Sequence, residues 1–386
     1  MAPNLIGNSA LLASTAEPVQ IISPITYPTT YQRPVKRTVR ASGQHQQYKL
    51  QIVWRNVMVF FFLHLGAIYG LWLAITQASW KTCLYTYIYA AFAGMGITAG
   101  AHRLWAHRTY VAKLPLRILL MIMQTTALQN HIYEWTRDHR VHHKFTETDA
   151  DPHNAKRGFF FSHVGWLMVR KHKDVFIKGK TVDLSDLEAD PVVMFQKKYY
   201  LILAPVFCFL IPSFFPYYYW GESWWNTFFV ASIFRYTISL NFTWLVNSAA
   251  HIFGTKPYDK NIKATENTFV AWAAFGEGWH NYHHVFPWDY KAAELGNYRL
   301  NFTTAFLDLM SKIGWAYDLK TVSPHMVKKR VERTGDGSWV EHKSRKVNHD
   351  DPNHHDHGDM LWGWGDKDMN VEEVKHIKCY NKLKET

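Results

Sequence analysis

The chain has 386 residues, of which 48% are hydrophobic and 16% aromatic, with a formal net charge of +12 and three cysteines. This hydrophobic content excludes a disordered chain. Three scattered cysteines exclude a disulfide scaffold and a zinc or iron–sulfur site built on cysteine. The positive charge would suit nucleic acid, but the apolar residues lie in long blocks, and this distribution indicates a membrane protein.

Four stretches have the length and composition of membrane spans. They are residues 56–76, 84–101, 199–219 and 226–246. About 20 helical residues cross a hydrocarbon core of ~30 Å. Buried helices of a large soluble protein are the alternative, but soluble cores are usually built from shorter runs. The sequence therefore predicts an all-α integral membrane protein with four transmembrane helices and a cytosolic helical cap.

Basic residues are distributed unevenly around these stretches. The links near 77–83 and 220–225 contain one Lys and one Glu between them, whereas residues 1–55 contain six Lys and Arg. The positive-inside rule then places both termini and the 102–198 loop in the cytosol. An anionic leaflet of the lipid bilayer explains the positive charge, and no nucleic-acid partner is expected.

The chain divides into three predicted regions. Residues 1–48 are rich in Pro, Ser, Thr and Gln and are expected to form a mobile cytosolic tail. Residues 49–320 are expected to form a transmembrane and cytosolic catalytic domain, and 321–386 a cytosolic C-terminal segment. The run His349–His357 in that segment is interpreted as a solvated tail that binds metal only adventitiously.

Three histidine clusters and one later pair lie at the predicted cytosolic ends of the spans. They are His102 and His107; His139, His142 and His143; His280, His283 and His284; and Asn247 with His251. Positions i, i+3 and i+4 share a helical face, so each HxxHH set is predicted to present three imidazoles in one direction. His102 and His107 lie about 140° apart around a regular helix. Their side chains therefore either approach a site from its two sides or are brought together by a local unwinding of the helix.

Nine imidazoles and one amide exceed the four ligands of a zinc ion and suit two metal ions of higher coordination number. Iron, zinc, copper and nickel are all compatible with such ligands. A lone histidine is usually an ordinary core residue, but three clusters at helical spacing favour a dimetal site. His131, His153, His163 and His172 have no helical partner set and are left outside it.

Three strings, HRLWAH, EWTRDHRVHHKFTETDADPHN and GEGWHNYHHVFPWDY, resemble the histidine boxes of the membrane acyl-CoA desaturases, a fatty acid desaturase family that includes the stearoyl-CoA desaturases. The resemblance covers roughly residues 50–320. The segment WGWGDKD, which begins at Trp362, is similar to those of insect members, above all the moth desaturases of sex-pheromone biosynthesis.

The resemblance implies a di-iron centre, with two Fe ions on the clustered ligands and O2 as co-substrate. It implies cytochrome b5 with its NADH-dependent reductase as electron donor, and residence in the endoplasmic-reticulum membrane. The implied substrate is a long-chain saturated fatty acyl-CoA, with monounsaturated chains also considered, and the implied products are Δ9 or Δ11.

Basic residues on the cytosolic side are candidates for binding the CoA phosphates. Arg137 and Asp138 match family positions near the CoA end, Arg170 and Lys171 fit a basic rim, and Asn56 opens the first span. Basic residues that anchor the protein at the membrane surface are the alternative.

Other candidates would line an apolar tunnel for the acyl chain. Gln129, Trp135, Thr243 and Trp244 match family positions around the bend in that chain. Ala90 and Gly94 lie on one face of the second span, which in the family borders the closed end of the tunnel. Core packing and helix–helix packing are the alternatives.

Four acids near the boxes, Glu134, Asp149, Asp151 and Glu277, are predicted to orient imidazoles. The family commonly has Asp at position 131 and Phe at 279, where this chain has His131 and Trp279, so a plain Δ9 specificity does not follow.

Two other functions remain open from the residues alone. One is a membrane di-iron fatty acyl or alkane hydroxylase, which would share spaced histidine boxes. The other is a metal transporter or a zinc-dependent membrane receptor, although transport calls for ionisable residues within the spans.

Overall fold

A computed structural model describes residues 50–294, 298–339, 360–370, 374–375 and 377–382. The predicted tail 1–48 and the run His349–His357 lie outside these residues, and the three-region division stays a prediction. The described chain is mostly helical, as expected. Its α-helices are α1 (Trp54–Thr76), α2 (Trp80–Met95), α3 (Leu114–Ala127), α4 (Ile132–Phe145), α5 (Phe159–His163), α6 (Lys173–Gly179), α7 (Ser185–Ala189), α8 (Pro191–Pro205), α9 (Ile211–Trp220), α10 (Trp224–Asn226), α11 (Arg235–Asn247), α12 (Ala249–Ile252), α13 (Thr268–Ala273), α14 (His280–Val285), α15 (Phe302–Lys312) and α16 (Pro324–Thr334).

Three π-helical segments continue α-helices and produce long helical rods. Gly96–Ala106 follows α2, Val206–Leu210 joins α8 to α9, and Thr227–Phe234 joins α10 to α11. Short 3-10 turns occupy Ala155–Arg157, Gly165–Leu167 and Tyr298–Leu300.

In the part of the chain that the structure describes, three helices are long and apolar enough to cross a membrane. They are Trp54–Thr76, Pro191–Trp220 and Trp224–Ile252. The second predicted span is helical from Trp80 to Ala106 but is not among them. Its many Tyr, Thr and Gly residues make it less apolar than the other three. Three of the four expected spans therefore have the required length and composition. The remaining one, the second predicted span, stays a prediction.

The long helices extend beyond the predicted spans because helix ends depend on capping and hydropathy detects only the apolar part. The helix that contains the third predicted span begins at Pro191. There the side chain of Asp190 accepts a hydrogen bond from the Val192 N–H at 2.9 Å. The helix that contains the fourth predicted span continues to Ile252, so it includes His251, which lies beyond the predicted end of the span at residue 246.

The two links between paired spans contact each other. The Glu222 carboxylate accepts hydrogen bonds from the Ser79 N–H at 2.8 Å and the Thr82 hydroxyl at 2.7 Å. The Trp220 indole donates to the same hydroxyl at 2.9 Å. Both links therefore lie at the same end of the helical bundle.

Two small antiparallel sheets were missing from the all-α prediction. Strand β1 (Val111–Ala112) pairs with β2 (Ala316–Tyr317), and β3 (Leu319–Thr321) pairs with β4 (Lys378–Tyr380). In the second sheet Leu319 is opposite Tyr380. This pairing joins the C-terminal segment to the residues that precede α16, a contact too distant in sequence for local patterns to predict.

The main core holds the histidine boxes against one another. Helices α3 and α4 pack on the segment Gly96–Ala106. Leu104, Trp105, Leu116, Leu120 and Ile132 are buried between these elements. The first and second boxes are thus neighbours because apolar side chains beside them share one core.

Candidate metal centre and substrate site

The first histidine pair lies at the end of a π-helical segment. In a π-helix the backbone hydrogen bonds run between residues five apart. The His107 N–H bonds to the His102 carbonyl at 3.1 Å, and the two ring centroids are 4.7 Å apart. The sequence left two arrangements open, and the structure has the local unwinding, because the helix between His102 and His107 is wound as a π-helix.

The imidazoles form two adjacent groups. A group of five contains His102, His107, His139, His143 and His283, and a group of four contains His142, His251, His280 and His284. Within each group the ring nitrogens lie within 4.8 Å of one another. One ion with metal–nitrogen bonds of about 2.0–2.1 Å separates opposite ligands by about 4.2 Å. Each group therefore has the dimensions of one ion's ligand set.

The expectation that each HxxHH set points in one direction was wrong. In the second box His139 and His143 join the group of five, and His142 joins the group of four. In the third box His280 and His284 join the group of four, and the remaining histidine joins the other. Successive helical residues diverge by about 100°, so the i and i+4 rings stay together while the i+3 ring faces the other group.

Burial keeps these imidazoles neutral. Burial, reinforced by neighbouring histidines, holds the pKa values of His107, His139 and His143 well below the usual value. The pKa of His142 is lowered to about 3, mainly by burial. Nε2 atoms of different rings face each other at 2.9 Å, as between His107 and His139. Neutral rings with convergent nitrogens fit metal ions, because a ligand imidazole must be unprotonated.

Two of the four predicted acids contact histidines of these groups. An oxygen of Asp151 lies 2.9 Å from His142 Nδ1, and an oxygen of Glu277 lies 2.9 Å from His102 Nδ1. Arg103 holds the Glu277 carboxylate in turn, at 2.9 Å. The hydrogen bond from His142 to Asp151 places the proton of that ring on Nδ1 and leaves Nε2 for a metal.

The other two acids lie elsewhere. Glu134 pairs with Arg137 at 3.2 Å, and Asp149 is exposed. The sequence interpretation also missed His153, whose ring lies 4.3 Å from that of His142 and whose Nδ1 lies 3.6 Å from Asp151. The signal was present, since His153 is the penultimate residue of the second motif string, but a search for helical spacing does not select residues in a loop.

Asn247 ends α11 and is half-buried, one turn before His251. Ser248, with φ −110° and ψ −72°, separates α11 from α12. The two groups are defined by the ring nitrogens of histidines, so they do not include the Asn247 amide. The role of Asn247 as a ligand stays a prediction.

Two of the predicted CoA-binding residues, Arg170 and Lys171, line a cavity of about 300 Å³. Its lining includes Asp151, Trp166, Arg170 and Lys171. The cavity thus connects the basic rim to the carboxylate that contacts His142. It is a location that a phosphate-bearing substrate could reach from the solvent.

Arg137 and Lys171 are already paired with acids. Arg137 contacts Asp138 at 2.8 Å, and Lys171 also forms an ion pair with Asp138. The Lys171 and Arg137 cations hold the pKa of Asp138 below its usual value in spite of its burial. The Asn56 side chain donates to the Leu167 carbonyl at 2.7 Å, next to this region.

The predicted tunnel residues include one pair in direct contact and two tryptophans that pack against other rings. Gln129 donates to the Thr243 hydroxyl at 2.9 Å, which links α11 to the loop after α3. Trp135 stacks on His139 with centroids 4.8 Å apart, and so lies directly against the group of five. Trp244 is buried and meets Phe60 edge to face at 5.5 Å.

The small residues of α2 lie in different surroundings. A Cβ at Gly94 would come within 2.5 Å of the Phe275 ring, so close packing requires glycine there. Ala90, one turn earlier, is half-buried. A tunnel role for either residue stays a prediction, and for Gly94 the contact with Phe275 supports the packing alternative.

Comparison with known proteins agrees with this site. The fatty acid desaturase family model matches residues 78–303. The chain is 62% identical over 334 residues to an acyl-CoA Delta-9 desaturase from Acheta domesticus, covering 86% of this chain and 88% of the relative. It is 48% identical over 385 residues to an acyl-CoA Delta(11) desaturase from Trichoplusia ni, covering 100% and 99%. It is 57% identical over 300 residues to stearoyl-CoA desaturase 5 from Homo sapiens, covering 77% and 88%.

A largely helical chain with long apolar helices and two buried histidine groups is a membrane oxidoreductase of the histidine-box class. More particularly, the chain belongs to the fatty acid desaturase family.

Proposed function

We propose that this protein is an acyl-CoA desaturase that introduces a double bond into a long-chain saturated fatty acyl-CoA. The observation that carries the proposal is the pair of adjacent groups of five and four buried imidazoles. Its relatives are named Delta-9, Delta-12 and Delta(11) acyl-CoA desaturases. High identity to all three leaves the position of the double bond open, and the Delta(11) relatives support a role in sex-pheromone or unsaturated fatty acid synthesis.

The two groups would each hold one iron ion. Iron with O2 would supply the oxidation of C–H bonds that no side-chain base can ionise. The protein's own contribution is to keep the imidazoles neutral and oriented, through Asp151 at His142 and Glu277 at His102. Trp135 covers the group of five from one side and keeps water away from it.

The acyl-CoA would enter at the cavity beside Arg170 and Lys171, with its phosphates toward these bases and Arg137. Asp138 holds Arg137 and Lys171 in place and limits how far their charges can move. The acyl chain would then pass the Gln129–Thr243 contact, which fixes the loop after α3 relative to α11. The distance from the basic rim to the imidazoles would thus select the carbon pair that reacts.

The membrane arrangement follows from the same helices. We place four transmembrane helices in the endoplasmic-reticulum membrane, with both termini and the helical cap in the cytosol. The contact of Glu222 with Ser79 and Thr82 supports this, because it brings both poorly charged links to one end. Cytochrome b5 with its reductase would deliver electrons on the cytosolic side.

Expression in a desaturase-deficient yeast tests the activity. Mass spectrometry of the fatty acids should locate a new double bond with the full-length chain and none with His283→Ala. His325→Ala, an exposed change on α16 outside both groups, should retain activity. An alcohol product would identify a hydroxylase instead, and unchanged fatty acids with a folded, iron-loaded protein would refute the proposal.

A further inference from the structure

The C-terminal segment Met360–Asn370, here named the C-terminal strap, lies against a residue of the group of five. The Trp362 carbonyl oxygen lies within hydrogen-bond distance of His107 Nδ1. A carbonyl oxygen can only accept a hydrogen bond, so His107 Nδ1 must carry the proton. Its Nε2, which faces His139 at 2.9 Å, is thereby left with a free lone pair directed into the group.

The strap is held on the His107 backbone at two further points. The Trp364 N–H donates to the His107 carbonyl at 2.9 Å. Gly363 has φ +155°, and a Cβ there would lie 2.6 Å from that same carbonyl oxygen. Only glycine allows the strap to approach this closely.

Side chains of the strap connect it to the second histidine box. The Trp362 ring lies under the guanidinium groups of Arg108 and Arg140, at 4.8 and 4.2 Å from the ring centroid. Arg140 is fully buried and lies between two ligand histidines in sequence. Its guanidinium also donates to the Trp105 and Ala106 carbonyls at 2.6 and 3.0 Å, which fixes the end of the π-helical segment.

An ion pair completes the attachment. Lys144, which directly follows His143, contacts the Asp366 carboxylate at 3.0 Å. The second oxygen of Asp366 accepts from the Trp362 N–H at 3.0 Å and so holds the turn that presents the Trp362 carbonyl. Both partners are largely buried, so solvent screens this pair less than an exposed one.

We propose that the C-terminal strap is a positioning element for the group of five, and that the Trp362 carbonyl fixes the tautomer and orientation of His107 for metal binding. The inference rests on the proposed function only in requiring that this group binds a metal ion. It also gives a role to the WGWGDKD motif, because Trp362, Gly363 and Trp364 of that motif form this contact.

The alternative is that the strap merely covers the surface. That role would affect folding or both metal ions alike, whereas a positioning role affects the ion of the group of five first. His107 belongs to that group, and in the described part of the chain the strap's hydrogen bonds to ligand histidines all involve His107. Selectivity between the two ions is therefore the deciding measurement.

Full-length protein purified with 57Fe provides the test. We compare wild type with Gly363→Ala, which pushes the strap off His107, and with the matched control Gly365→Ala. Gly365 also has a positive φ, +82°, but a Cβ there would meet only Arg108 Nη1 at 3.3 Å. Iron per chain under a competing chelator and the Mössbauer spectrum are the readouts.

Wild type and Gly365→Ala should hold about two iron ions, as two ligand groups imply. Gly363→Ala should release one of them with affinity weakened ~10–100-fold, the usual effect of losing a ligand's hydrogen-bond partner, while the second spectral component persists. Equal retention of both ions in Gly363→Ala, or parallel loss of both, would overturn the proposal.

A second variant guards against simple misfolding. Asp366→Ala breaks the ion pair and the turn without adding a side chain to the contact, and Lys367→Ala, an exposed neighbour, is its control. Asp366→Ala should show the same selective loss, and iron retention equal to that of Lys367→Ala would contradict the role. A wild type that binds no iron would refute the proposed function, and the strap's role with it.

Discussion

Replacing Asp151 by Ala tests how the group of four is held. The Asp151 carboxylate accepts three hydrogen bonds, from His142 Nδ1 at 2.9 Å and from the N–H groups of Glu147 and His153 at 3.1 Å each. A hydrogen bond to a charged group contributes about 1.5–3 kcal/mol. Losing the bond to a ligand histidine typically weakens metal binding ~10–100-fold. That factor corresponds to about 1.4–2.8 kcal/mol, within the range for this single bond.

The assay is iron retention against a competing chelator, with purified full-length protein. Asp151→Ala should lose iron from one of two classes of site, whereas Asp149→Ala, an exposed change two residues earlier, should retain both. Asp151→Asn should be intermediate, because an amide oxygen still accepts from His142. Thermal unfolding of each metal-free variant separates this effect from lost stability. Retention by Asp151→Ala equal to that of Asp149→Ala would refute the reasoning.

Three further predictions follow from the same structure. His142→Ala and His283→Ala remove a histidine from different groups, so each variant should keep about one iron ion per chain and lose desaturation. The iron ions that the two variants keep should differ in spectral type. Loss of both ions from each variant would show that the groups are not separable. Ala90→Tyr should move the products toward shorter acyl chains by filling the tunnel end, and an unchanged chain-length profile in an active variant would mean that this face only packs against another helix. Tags at residues 1 and 386 should be accessible from the cytosol in sealed microsomes, and access from the lumen alone would reverse the topology.

Local patterns in the sequence predicted the clustered histidines as one set, and the structure brings their nine imidazoles together. Helical spacing selected the two HxxHH sets and His251, because residues at nearly whole turns share a helical face, whereas His102 and His107 were selected as a close pair. The same rule could not assign them to groups, since His142 and His143 diverge by about 100° and the direction of each depends on where its helix lies. His153 was missed because it lies in a loop, where spacing has no fixed geometric meaning.

Hydropathy located the long helices but not their ends or neighbours. It detects the lipid-facing part of a helix, so it stopped at residue 246 while the helix continues to Ile252 and carries His251 with it. The face of the second span that holds Gly94 was expected to border the acyl tunnel, and the structure places the Phe275 ring against Gly94. Residues 94 and 275 are far apart in sequence, and only the folded chain brings them together.

The sequence by itself determined that long apolar segments are followed by clustered histidines, and the three histidine strings pointed to a membrane oxidoreductase family because such strings are long and specific. The tertiary structure alone decided how these histidines divide into five and four and which atoms orient them. The clearest case is the Trp362 carbonyl at His107, a contact across 255 positions made by a backbone atom that every residue possesses. A side-chain pattern cannot encode such a contact, since its specificity comes from the path of the chain.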